Sequence, residues 1–177
     1  MSIKKAFKQG ELDRFCGIYA LINAVRSTGF KLTQSQAQAV MDDIIENLAS
    51  DDLTALMLNG AEHKELMKLA RLFNRSLDTL FDKQVELIRP YKNKSPDFET
   101  VLLDMEYERS HNSGVIVRIF SNAFDHYTAF DCVDGQRIRF IDSAHIASLP
   151  LSDLSDGYRT KYTLRVDGVY FLRPVKI

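Results

Sequence analysis

The chain has 177 residues, 45% hydrophobic and 27% charged, a balance that fits one globular domain with a substantial core. Its formal net charge of -1, without any basic run or arginine-rich stripe, argues against a nucleic-acid or anionic-membrane partner. No run of about eighteen apolar residues occurs, and "MSIKKAFKQGELD" lacks a signal-peptide core, so a cytoplasmic chain with one domain over 1–177 is expected. Delivery into another cell by a signal-free secretion machine would leave the same trace.

The first 110 residues read as mostly helical. From Cys16 the apolar residues Ile18, Leu21, Ile22 and Val25 recur at helical spacing, and Gly29 supplies a stop. Thr33 caps a second helix whose stripe is Ala37, Val40, Met41, Ile44, Ile45 and Leu48. "AEHKELMKLARLFN" gives a third, with Leu66, Leu69, Ala70 and Phe73 inward. Ser95-Pro96 opens a fourth, with proline at the first helical position, and Phe98, Val101, Leu102 and Met105 on one face. The acidic stretches "ENLASDDL" and "LPLSDLSDG" read as loops.

After Gly114 the texture turns to β. "VIVRIF" is short and β-branched, "HYTAFDCV" and "QRIRFID" flank Asp134-Gly135, and "KYTLRV" and "VYFLRP" flank Asp167-Gly168, so two hairpins are expected. Helices first and antiparallel strands second define an α+β domain, a helical N-terminal half packed on a C-terminal antiparallel sheet.

Only two cysteines occur, Cys16 and Cys132. In a chain read as cytoplasmic they are expected to be reduced thiols. No tight Cys/His spacing, calcium loop, phosphate loop or dinucleotide fingerprint is present, so no metal or organic cofactor is implied. Cys132 lies mid-strand and reads as a small core residue. Cys16 sits where a polar segment becomes a helix. The unpaired N–H groups and dipole of a helix start stabilise a thiolate, and the thiolate is the nucleophile. The same N–H groups can hold an oxyanion, and Gly17 leaves room for a substrate backbone. Taken alone, such a cysteine is more often a buried structural residue, so the functional reading needs a partner.

Four histidines are available. His63 in a polar helical turn and His111 in "ERSHNSG" read as solvated surface residues, and His145 in "DSAHIA" has nothing to orient it. His126 opens a strand at a loop-to-sheet boundary, where a base can face a cleft. Its acid partner depends on register. A three-residue turn, Val133-Asp134-Gly135, pairs Cys132 with Gln136 and sets His126 directly opposite Asp142; a two-residue Asp-Gly turn sets Tyr127 there and sends His126 to the other face. The first register is the expected one, because it builds a histidine–aspartate pair that fixes the imidazole tautomer.

"FCGIYALINAV" together with "DHYTAFDCVDGQRIRFIDSA" resembles the papain-like cysteine peptidases, most closely the peptidase domains that process double-glycine bacteriocin leaders. These pair a Cys-Gly helix start with a His-Tyr/Phe strand and an aspartate sixteen residues later, the interval from His126 to Asp142. The resemblance covers roughly residues 9–29 and 114–145 and implies a papain-like fold. The cysteine helix is also similar to that of the ubiquitin carboxy-terminal hydrolases. Two departures stand out. The family's oxyanion glutamine lies six residues before the cysteine, whereas Gln9 lies seven before Cys16, and Ser143 follows the aspartate in place of proline.

The implied activity is hydrolysis of a peptide, isopeptide or related amide bond in a protein or peptide substrate. Cys16 attacks, His126 moves the proton, Asp142 orients His126, and Gln9 with the Cys16 N–H holds the oxyanion. Gln9 reads equally well as a solvated loop residue. The same triad would serve a glutamine deamidase or transamidase effector toxin, and a catalytically silent binding module would retain the same fold. Cleft specificity is expected from Leu58–Glu62, Ser121–Asp125 and Ser143–Ser148.

Overall fold

The computed structural model describes residues 15–144, 146–157 and 160–175. Five α-helices and one seven-stranded sheet are found among them: α1 (Cys16–Val25), α2 (Gln34–Asn47), α3 (Ser50–Asn59), α4 (His63–Phe81), β1 (Val85–Ile88), α5 (Phe98–Ser110), β2 (Gly114–Phe120), β3 (Asp125–Asp134), β4 (Arg137–Ile141), β5 (Ser148–Pro150), β6 (Leu154–Ser155) and β7 (Tyr162–Pro174). The sheet order is β1-β7-β2-β3-β4-β5. Among the described strands only β6 pairs in parallel, on β7. No described helix is long and apolar enough to cross a membrane.

The sheet is covered on both faces, which is why its central strand β2 and the first half of β3 are buried almost continuously rather than alternately. Ile116, Ala129, Tyr170 and Leu172 pack against α1, α2 and α4 in one core cluster. Their strand neighbours Val115, Val117, Phe130 and Phe171 join Val101 and Met105 of α5 in a second. The α+β class expected from the sequence is present, but α5 lies on the far face rather than with the other helices.

Several local expectations are met. All four expected apolar positions of α1 are buried. The helix passes through a 3-10 turn at Arg26–Thr28 and stops at Gly29, whose φ of 90° suits glycine. Thr33 and Gln36 form a capping box at the start of α2. Other expectations need correcting. The fourth helix starts later than Pro96: Asp97 is its cap, accepting from the Thr100 N–H at 2.8 Å. "ASDDL" belongs to a helix, α3, with Asp51 and Asp52 in the first turn, where carboxylates suit the dipole.

Tyr162–Pro174 is one long strand, not a hairpin. β2 pairs with Leu172–Tyr170 through its first half and with Arg165–Thr163 through its second, so the two halves of β7 lie end to end along it. The segment around Asp167-Gly168 absorbs the extra residues as a bulge. Gly168 is required there, because a Cβ would lie 2.6 Å from the Cβ of Arg118.

Candidate active site

Cys16 is the first residue of α1, after Phe15, whose carbonyl accepts from the N–H groups of Ile18 and Tyr19. The N–H groups of Cys16 and Gly17 precede these and have no carbonyl to reach within the helix. Gly17 serves packing rather than substrate approach: a Cβ there would lie 3.2 Å from Ala61 Cβ and 3.3 Å from Leu66 Cδ1, where α1 meets α4.

His126 is the second residue of β3, and Asp142 lies one residue past β4. Their side chains meet, with His126 Nε2 at 2.6 Å from Asp142 Oδ1. The register that achieves this is neither of the two weighed from sequence. Asp134 pairs with Arg137, so the turn is Gly135-Gln136. Gly135 has φ 58° and Gln136 no positive φ, the pattern of a type II′ turn with glycine leading. Continued unbroken, that register would put Ala129 opposite Asp142 and His126 on the other face. Instead the pairing shifts by one between Cys132–Arg139 and Phe130–Phe140, leaving Asp131 as a bulge. Beyond it Ala129 pairs with Ile141, so Thr128 comes opposite Asp142 and His126 is its diagonal neighbour on the same face. The bulge also breaks the alternation between His126 and Cys132. Cys132, expected in the core, is half-buried, and burial together with Asp131 raises its pKa.

Asp142 is held from behind. Its Oδ2 accepts from the N–H groups of Ala144 at 2.7 Å and Ile146 at 2.8 Å, so the carboxylate cannot turn away from the ring. Burial opposes the charge of Asp142, but the bond from His126 and the imidazolium charge prevail, and its pKa is lowered. For His126 burial likewise acts against the charged form. Hydrogen bonds to Asp142 and to the Cys16 sulfur, with the charges of the carboxylate and the thiolate, outweigh it and raise the pKa to about 9. Because Nε2 is taken by Asp142, Nδ1 is left to exchange a proton with the sulfur.

Cys16 and His126 border a cleft of about 350 Å³, with Asp142 buried behind the ring. Asn59, Gly60, Ala61 and Glu62 form one wall, and Ala123 to Tyr127 the other. Two of the three expected specificity segments therefore line it. The described residues of Ser143–Ser148 do not; Ala144 and Ile146 bond Asp142 instead. Over the Ala123–Phe124 wall lies a second hollow of about 340 Å³, which Phe120 and Tyr162 also line. Phe124 meets His126 edge to face, with centroids 6.5 Å apart.

Arg118, unremarked in the sequence, bridges the two walls. Its guanidinium bonds both oxygens of Glu62 at 2.9 Å and both of Asp125 at 2.7 and 2.6 Å, and lies 5.5 Å over the Tyr127 ring. The signal was a lone arginine inside the β-branched "VIVRIF". His63, expected in solvent, is half-buried at the start of α4. Its Nδ1 bonds the Tyr170 hydroxyl at 2.7 Å, and burial followed by the charge of Arg89 lowers its pKa. His111 is exposed and caps its own helix through Tyr107 O. Gln9 and His145 lie outside the described residues. Among the described residues no cluster of three His, Cys, Asp or Glu side chains could hold a metal ion. The chain matches no family model and no curated protein.

Proposed function

We propose that the protein is a papain-like cysteine hydrolase that cleaves a peptide, isopeptide or related amide bond. The observation that carries this reading is the buried His126–Asp142 pair with Cys16 as the second partner of the imidazole, His126 and Cys16 lining a cleft. A histidine tethered through Nε2 and buried beside a helix-start thiol is more than a core histidine requires.

The chemistry follows from the tether. The Cys16 thiol gives its proton to Nδ1 of His126, and Asp142 stabilises the imidazolium that results. The sulfur forms a bond to the acyl carbon while the carbonyl π electrons move onto oxygen, toward the N–H groups at the start of α1. Gln9 is the side-chain oxyanion donor assigned by this reading. Collapse of the intermediate expels the amine, which takes the proton from His126. Water then attacks the thioester as His126 accepts its proton, releasing the carboxylate and restoring Cys16. The second hollow beyond Ala123–Phe124 suits a substrate that extends past the reacting bond.

Incubating the protein with peptide and isopeptide libraries and reading products by mass spectrometry tests the proposal. Cleavage gives fragments that Cys16→Ala abolishes. Intact chains shifted by about one dalton would instead identify a deamidase. Cleavage that survives in Cys16→Ala would sink the mechanism.

A further inference from the structure

The bulge at Asp131 brings His126 and Asp142 onto one face, so whatever holds it open governs the site. Between the Gly135-Gln136 turn and His126 the strand carries one residue too many for that alignment, and Asp131 is the residue expelled from the ladder. An expelled residue leaves backbone groups that the neighbouring strand cannot satisfy. One side chain meets this need. Arg109, in the last turn of α5, donates from Nε to the Asp131 carbonyl at 3.2 Å and from a terminal nitrogen to Asp131 Oδ1 at 3.3 Å.

The other terminal nitrogen of Arg109 donates to the carbonyls of Ser27 at 3.4 Å and Ser113 at 3.5 Å. Ser27 lies in the 3-10 turn that continues the helix bearing Cys16. One guanidinium, its side chain 15% exposed, thus ties the tail of the cysteine helix to the bulge in the histidine strand. One turn earlier on the same helix face, Glu106 accepts from the Val133 N–H at 3.3 Å, so α5 grips β3 on the turn side of the bulge as well. Arg109 lines no part of the cleft. Its planar fork suits several carbonyls at fixed angles, a task for which lysine is a poor substitute.

We propose that Arg109 is a positioning residue for the Cys16–His126–Asp142 site, acting by holding the Asp131 bulge that puts His126 and Asp142 in register. This rests on the hydrolase reading only for its effect on turnover. The register itself is read from the His126 ring.

The test follows the titration of His126 by NMR in the whole chain, with circular dichroism to follow the fold. The expected wild-type midpoint is about 9, raised by the bonds to Asp142 and Cys16. Arg109→Met keeps the fold but lets the bulge close or wander, so the midpoint falls toward the ordinary 6.5. In that variant kcat falls about a hundredfold with little change in KM, because the cleft walls are untouched. Deleting Asp131 in the Arg109→Met background restores the midpoint near 9, since a strand without the extra residue pairs Phe130 with Phe140 directly. A residue important only for stability gives no such rescue. If Arg109→Met does not fold, Arg109→Lys enters the same comparison, with a smaller fall and the same recovery. A folded variant that titrates like the wild type, or a lowered midpoint that the deletion leaves unrestored, overturns the proposal. An ordinary midpoint in the wild type overturns the hydrolase reading itself.

Discussion

Two ionic clusters flank the same cleft and differ in what surrounds them. The His126–Asp142 pair is buried, with side chains 8% and 1% exposed, whereas Arg118 reaches out to Glu62 and Asp125, which are 69% and 40% exposed. Charges in a low-dielectric setting interact strongly and shift each other's protonation; exposed carboxylates are hydrated and screened by salt. The buried pair is therefore suited to chemistry. The exposed cluster, whose one guanidinium bonds a carboxylate from each side, is suited to holding two walls at a fixed spacing.

Between the two clusters, the largest expected effect comes from Asp142→Asn. The shape survives, but the charge that supports the imidazolium is lost. Turnover should fall roughly 10³- to 10⁴-fold, and the His126 titration should drop from about 9. Full turnover in this variant would erase the functional difference between the clusters.

A second contrast is the pH dependence of stability. The pKa of His126 is raised from 6.5 to about 9 by the fold, so its contribution is full below about 6.5 and fades as pH rises through about 9. It amounts to about 3 kcal/mol. Asp142 is lowered from 3.8, so its contribution is present above that value and is lost as pH falls through its folded value. Stability from the pair is therefore greatest between about 4 and 6.5. Urea denaturation across pH should show this plateau. In His126→Ala the decline toward pH 9 should disappear.

The exposed cluster gives the smallest effects. Arg118→Met should raise KM several-fold and cost about 1–2 kcal/mol, partly through lost packing on Tyr127. The pH profile of kcat should be unchanged. Glu62→Gln should cost less than about 1 kcal/mol and vanish in high salt. If either variant moved the His126 titration, the two clusters would be one network.

The same contrast explains what could be read from the chain. Local chemistry was legible: the start of α1 at Cys16, the Thr33 cap, and Gly135 as a turn glycine. So was the candidacy of His126 and Asp142, because strand ends are visible in the pattern. Their register was not. The bulge at Asp131 is stabilised by Arg109 from another helix, and no periodicity within β3 reports it. The Asp167-Gly168 hairpin failed for a related reason: β2 pairs with both halves of β7, and tertiary pairing overrode a strong local turn signal. The short α3 buries only Leu56, so it lacks the apolar stripe by which a helix announces itself.

The two cysteines provide the most direct test of the central claim. Cys132 is half-buried, while Cys16 is 7% exposed, so accessibility alone favours reaction at Cys132. The hydrolase account predicts the reverse. Limited labelling with an amide-mimicking electrophile, followed by peptide mapping, should find the adduct on Cys16, and His126→Ala should suppress it. Labelling confined to Cys132, or equal labelling of Cys16 with and without His126, would contradict the account.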